Sequence, residues 1–193
     1  MCGQYELDSE EEAPEMRLLM DALRRRVGET PAFAAMARGR VRPTDIAPAW
    51  TAGGAVLMRW GFHVPDRRPV INARAETVAE KPLFAGPLKT GRCLIPAARF
   101  LEWGRMGRER VRYACRVPGV SPLYMAGLYR FEPQLALPVF VILTRPSEGA
   151  LSDVHPRMPV LLPRPQLRAW LEQDAAAEAL LRADPPALRL SVV

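Results

Sequence analysis

Leu123-Tyr124-Met125-Ala126-Gly127-Leu128-Tyr129 and, after a turn-rich interval, Val139-Phe140-Val141-Ile142-Leu143-Thr144 are the two runs on which the fold turns. Each is a short apolar stretch bounded by turn formers, the pattern of a buried strand. Working outward, similar runs stand at residues 55–60, 92–95 and 111–117. Prolines at 43 and 48 force extended chain across residues 41–48. Strands of this length and punctuation suit a mostly antiparallel sheet that curls on itself into a barrel. Proline, with 20 residues, is about twice its usual share, which disfavours long helices.

Helical periodicity is confined to the two ends of the chain. Residues 14–27 place Met16, Leu19, Met20 and Leu23 on one face, with Pro14 at the start and Gly28 at the end. Residues 165–181 carry Leu167, Trp170, Leu171, Leu180 and Leu181, and predict one helix packed across the sheet. Residues 97–103 predict only a short helical turn, because Gly104 and Gly107 follow at once. There is no repeat, low-complexity tract or linker, so the 193 residues predict one compact α+β domain, 1–193, with a curled barrel-like sheet and a few flanking helices.

Composition narrows the function. No apolar run approaches the ~18 residues of a membrane span, and the stretch 8–12 is acidic where a signal peptide would be basic and then apolar. The expectation is a soluble, cytoplasmic, monomeric protein with no membrane partner. Cys2, Cys93 and Cys115 form no CxxC pair, and His63 and His155 are the only histidines, so neither a metal nor another cofactor is expected. The net charge is +6, and 25 of the 27 basic residues are arginines, Lys81 and Lys89 being the exceptions. The arginine fork suits phosphate, although a GC-rich genome produces the same bias.

The chain begins Met1-Cys2-Gly3-Gln4. Removal of Met1 would leave Cys2 with a free α-amine beside its thiol, a 1,2-aminothiol. An α-amine titrates near ~7.7–8.0 and a thiol near ~8.5, so a fraction of each is nucleophilic at neutral pH. Such a pair captures aldehydes, first as an imine and then as a five-membered thiazolidine. Three further blocks put polar groups in apolar surroundings: Ile71-Asn72-Ala73-Arg74-Ala75-Glu76-Thr77 after Trp60-Gly61-Phe62; Arg92-Cys93-Leu94-Ile95-Pro96-Ala97 running into Phe100-Leu101-Glu102-Trp103; and His155-Pro156-Arg157-Met158-Pro159. Taken singly, Cys2 reads equally as a residue of a frayed terminus, Asn72 as a turn cap, Glu102 as an arginine partner and His155 as a satisfied imidazole.

In this order, and together with Ile46-Ala47-Pro48 and Ala126-Gly127-Leu128-Tyr129, the blocks resemble the SOS response-associated peptidase (SRAP) family from Cys2 to about Val160. The resemblance implies covalent capture of abasic sites in single-stranded DNA, whose open deoxyribose is an aldehyde, with nucleoid association at damaged DNA and β-elimination of the strand as a side reaction. It implies that Cys2 is the cross-linked nucleophile after loss of Met1, that Asn72 holds the sugar or amine in register, that Glu102 relays protons, and that His155 protonates the ring oxygen. It further implies phosphate contacts from Arg74 and Arg157, and stacking or wedge surfaces from Trp60 and Trp103. Gln4 stands where the family has arginine, which removes a phosphate contact. Two alternatives stay open: a thiol peptidase using Cys2, Glu102 and His155 on its own leader, and a non-covalent single-strand-binding module. Cys93 and Cys115, within strands, are expected to be inert.

Overall fold

A computed structural model describes residues 2–8 and 13–193; Met1 and most of the acidic run, residues 9–12, lie outside the described residues. In chain order the strands are β1 (Gln4–Glu6), β2 (Arg40–Val41), β3 (Ile46–Thr51), β4 (Gly54–Trp60), β5 (Asn72–Arg74), β6 (Arg92–Ala97), β7 (Arg99–Met106), β8 (Glu109–Arg116), β9 (Leu123–Arg130), β10 (Val139–Pro146), β11 (Arg157–Pro159) and β12 (Arg189–Val192). The helices are α1 (Pro14–Val27), α2 (Pro31–Ala34), α3 (Pro82–Thr90), α4 (Leu167–Glu172) and α5 (Asp174–Arg182).

The two decisive runs become β9 and β10, and their pairing closes the barrel. One sheet follows the order β11-β10-β4-β3-β6-β9, and β9 returns to pair with β10, so β10, β4, β3, β6 and β9 form a closed ring. Closure leaves these five strands without an open edge. All ring pairings are antiparallel except β4 with β10. β10 extends past the ring and takes β5 on one side, parallel, and β11 on the other, antiparallel. The second sheet, β12-β8-β7-β1-β2, is antiparallel throughout.

Alternation along the ring strands sends Ala47, Ala49, Met58, Cys93, Ile95, Met125 and Phe140 into one buried cluster that also takes Cys2, Tyr5, Phe100 and Cys115 from the second sheet. Neighbouring ring residues such as Leu94, Leu128 and Val141 point the other way and meet α3, α4 and α5 through Leu88, Trp170 and Leu181. Helix α1 runs over the predicted residues 14–27 and buries Met16, Leu19, Met20 and Leu23 against Leu57 and Ala55. Arg24, Arg25 and Arg26 occupy its last turn, where positive charge complements the helix dipole.

Two local expectations are corrected. The predicted turn at 97–103 is instead the end of β6 and the first part of β7, because Ala97 pairs with Leu123 of β9 and residues 99–103 are paired to β1 and β8. The glycines do break helix, but they serve a hairpin. Gly107 adopts φ +62° at its tip, and a Cβ on Gly104 would meet Val154 Cγ1 at 2.6 Å and Tyr113 Cε2 at 2.9 Å. The predicted helix 165–181 is two helices broken at Gln173, which is extended at φ −114°, ψ 106°. The break lets Trp170 and Leu181 face one core. It is held by buried Arg92, which bonds the Trp170 carbonyl and pairs with Asp174 at 2.8 Å. Among the described residues, no helix is long and apolar enough to cross a membrane.

Candidate active site

Strand pairing carries Cys2 to the site. Because β1 lies antiparallel to β7 with Gln4 opposite Leu101, the residues before Gln4 run alongside Glu102. Cys2 is fully buried. Its carbonyl accepts a 2.9 Å hydrogen bond from Asn72 Nδ2, and its thiol faces the Gln4 carbonyl at 3.7 Å. Asn72 reaches it from β5, held by the parallel pairing of Asn72 with Ile142 on β10. The other end of the same amide, Oδ1, is buried with no hydrogen-bond partner among the described residues. A buried acceptor left unmatched is costly, on the order of 1–3 kcal/mol, so Asn72 presents a docking point for an N–H or O–H that arrives with a ligand.

Glu102 projects inward from β7 and is 3% exposed. Burial disfavours its ionised form and raises its pKa to about 7. Its Oε2 lies 3.9 Å from Nε2 of His155. His155 follows a 3-10 turn, and its backbone N–H donates to the Leu151 carbonyl. Its Nδ1 sits 2.9 Å from the Arg157 carbonyl. Partial burial lowers the imidazole pKa, so the ring is neutral at neutral pH. Nδ1 also lies 3.1 Å from the Arg157 backbone N–H, so it can donate to the carbonyl or accept from the N–H, and Nε2 faces Glu102 in either tautomer. The Cys2 thiol is raised well above its ordinary value, first by burial and then by the Glu102 charge. A resting thiolate is therefore disfavoured, and it becomes more accessible when Glu102 is protonated.

Cys2, Asn72, Glu102 and His155 thus converge from β1, β5, β7 and the segment before β11. Arg74 and Arg157 flank them on the two strands beside the end of β10, near Thr144 and Pro146. Arg74 is exposed. Arg157 is already engaged: its guanidinium makes a two-pronged pair with Glu76, and Nη2 donates to the Thr144 carbonyl at 2.7 Å. The pair holds the Glu76 carboxyl below its usual range. A phosphate would reach Arg157 only by displacing Glu76.

The two tryptophans separate. Trp60 is a core residue, fully buried, stacked on Phe140 with ring centroids 6.0 Å apart, tilted on Tyr5, and hydrogen-bonded from Nε1 to the Ile71 carbonyl. No face of its ring is left for a base, which corrects its expected wedge role. Trp103 is 43% exposed but points away from Glu102, its neighbour on the strand. Gln4 keeps Oε1 buried with no hydrogen-bond partner among the described residues. Cys93 and Cys115 are buried, and Cys115 is pushed up to about 12 by burial, then by Glu102. Sequence reasoning missed Tyr5, whose buried hydroxyl has no hydrogen-bond partner among the described residues; only its alternation within β1 could have signalled an inward phenol. It also gave Glu76 no role, although two residues beyond Arg74 it had a basic partner within reach. Among the described residues no three His, Cys, Asp or Glu side chains group to hold a metal ion.

A closed β-barrel with an N-terminal cysteine drawn in beside an asparagine, a buried carboxyl and an imidazole defines the class. The chain matches the family model described as SOS response associated peptidase (SRAP) over residues 1–192, and it belongs to that family. It is 37% identical over 125 residues to the abasic site processing protein YobE of Bacillus subtilis, covering 59% of this chain and 57% of that one. It is 29% identical over 123 residues to the abasic site processing protein YedK of Escherichia coli, covering 62% and 55%. The chain therefore spans just over half the length of these two relatives. A crystal structure of a Bacteroides thetaiotaomicron protein shares the fold, with a TM-score of 0.80 at 20% identity over 100% of this chain and 92% of that one.

Proposed function

We propose that this protein captures abasic sites in single-stranded DNA covalently through Cys2, once Met1 has been removed. The observation that carries the reading is the convergence on Cys2 of the Asn72 amide and a buried carboxyl poised at about 7 beside His155. The named relatives are abasic site processing proteins, in keeping with an aldehyde-bearing substrate.

The Cys2 amine adds to the C1′ aldehyde of the opened deoxyribose to give a carbinolamine. Glu102, its pKa raised to about 7, donates its proton to the carbinolamine hydroxyl, which leaves as water, and the proton on nitrogen returns to the Glu102 carboxylate to give the imine. The thiol sulfur then bonds to the imine carbon, the C=N π pair moves to nitrogen, and the thiol proton follows it to close the thiazolidine. Ring closure suits a thiol that is neutral and buried at rest. His155 passes a proton between Glu102 and the deoxyribose ring oxygen, which must be protonated for the sugar to open. Asn72 keeps the Cys2 main chain in register, and its unmatched Oδ1 accepts from the incoming amine or sugar hydroxyl. The thiol-peptidase reading is weaker, because Nε2 of His155 faces Glu102 and the thiol is pushed away from thiolate.

The test is incubation with an abasic single-stranded oligonucleotide, followed by denaturing electrophoresis and intact mass. A heat-stable adduct equal in mass to protein plus DNA less one water is the expected result. A complex that dissociates on heating or in salt would sink the covalent reading and leave a simple binding module.

A further inference from the structure

We propose, resting on the reading above for the polyanion, that Glu76 is a specificity-determining residue. Its carboxylate stands in for a strand phosphate on Arg157 in the free protein, so that only an anion anchored at a second point displaces it.

The guanidinium is the fixed member of the pair and the carboxylate the movable one. Nη2 of Arg157 donates to the Thr144 carbonyl at 2.7 Å and lies 3.3 Å from Thr144 Oγ1, and Thr144 is buried in β10. The Arg157 side chain is 14% exposed, against 42% for Glu76. An arriving anion therefore meets a cation held in place and a carboxylate with solvent to turn into. Glu76 belongs to the 3-10 turn Ala75–Thr77 that follows β5 directly, and Arg157 opens β11 on the other side of β10. The pair thus spans β10, between the segment that carries Asn72 and the segment that carries His155.

Carboxylate and phosphodiester each offer two oxygens to a guanidinium fork, so one can replace the other without rebuilding the site. The hydrogen bonds from Arg157, with the charges of Arg157 and Arg74 beside it, hold the Glu76 carboxyl below its usual range. It is ionised at neutral pH, and the contact is closed. A free phosphate must compete with a carboxylate tethered at high local concentration. A strand has the advantage of a second anchor, because Arg74 stands exposed two residues before Glu76 and can hold the neighbouring phosphate while the exchange takes place. What the strand gains at Arg157 is then only the difference between phosphate and Glu76, and a single phosphate gains too little to stay.

The experiment measures the affinity of an undamaged oligothymidylate by fluorescence anisotropy for the parent, Glu76→Gln, Arg157→Gln and the double variant. Glu76→Gln should bind about fivefold more tightly, the upper weight of an exposed ion pair, with the slope of log K against log salt steeper by up to about 0.7, the share of one phosphate. Arg157→Gln should bind more weakly than the parent, and in its background Glu76→Gln should gain nothing. A gain that persists without Arg157 would be the general effect of removing a negative charge and would overturn the proposal, as would parent-like affinity in Glu76→Gln. At constant ionic strength, inorganic phosphate should compete about fivefold more effectively for the strand site of Glu76→Gln than for that of the parent. Equal competition would overturn the selection of anchored anions. With an abasic strand, the half-saturating concentration for adduct formation should fall in Glu76→Gln; a lower maximal rate with no gain in affinity would reduce Glu76 to a structural support of Arg157. If the parent binds oligothymidylate as described but forms no adduct on the abasic strand, the covalent reading fails while the role of Glu76 stands. A parent that binds neither strand removes both.

Discussion

Glu102 and Trp103 are adjacent on one strand and live in opposite worlds. Glu102 is sealed inside beside His155, with a pKa raised to about 7 by burial. Trp103 stands in solvent between two arginines. The inward face of β7 offers one proton-transfer group in dry surroundings, and the outward face offers charge and an aromatic plane without a built pocket. Chemistry that needs a perturbed carboxyl belongs to the first face, because only there is solvent excluded from the carboxyl. A strand serves both because its pleat separates neighbouring side chains without any change of backbone.

That contrast is most sharply tested at Cys2. Cys2→Ala should abolish the heat-stable adduct on denaturing gels, while salt-sensitive binding of an undamaged strand stays within a few-fold of the parent, because phosphates are met elsewhere. A stable adduct from this variant would remove the aminothiol from the mechanism. Cys2→Ser should give at most a labile imine, since oxygen closes the ring poorly.

Glu102→Gln comes next. Loss of a general acid slows a step by about 10²–10⁴-fold, so adduct formation in time courses at saturating DNA should fall within that range. Parent rates under saturation would reduce Glu102 to a structural group.

The same substitution should reveal itself in stability. The folded state binds the Glu102 proton more tightly than the unfolded chain, where a glutamate titrates near ~4.3. Stability therefore falls as pH rises from that value through about 7. The full cost is on the order of 3 kcal/mol above pH 8. Denaturant midpoints should show the parent weakening between pH 5 and pH 8, and Glu102→Gln weakening less. Equal slopes would mean the carboxyl is not held near neutrality.

The smallest effect is expected at Arg74, exposed beside the cleft. Arg74→Ala should weaken strand binding a few-fold and lower the salt slope by about 0.7, one phosphate on single-stranded DNA, and saturating DNA should restore the adduct rate. A rate defect that survives saturation would move Arg74 from binding into proton transfer or positioning.

Much of this was legible in the sequence where a local cause suffices. Helix α1 has its proline at N1, its apolar positions at helical spacing and its glycine just beyond, so both ends follow from neighbours in the chain. The runs that became β9 and β10 are bounded by turn formers, and the four blocks containing Cys2, Asn72, Glu102 and His155 stood out because polar groups interrupted apolar surroundings. Strand β7 was not legible, since Gly104 and Gly107 weaken helix and strand patterns alike and only pairing to β1 and β8 decides between them. The break at Gln173 was hidden for a similar reason: it depends on Arg92, which is remote in sequence and holds the Trp170 carbonyl and Asp174 together.

By itself, then, the sequence determined which residue types could do aldehyde chemistry and which segments would be regular, because nucleophilicity, backbone propensity and periodicity are properties of residues and their near neighbours. Only the tertiary structure decided what surrounds each of them. Trp60 and Trp103 look alike in the sequence, yet ring closure buries the first against Phe140 and the hairpin exposes the second to Arg110 and Arg112. Glu102 is an ordinary glutamate until β1 and the His155 segment close over it, and its proton affinity follows from that lost solvent. Solvation is set by chains meeting from distant positions.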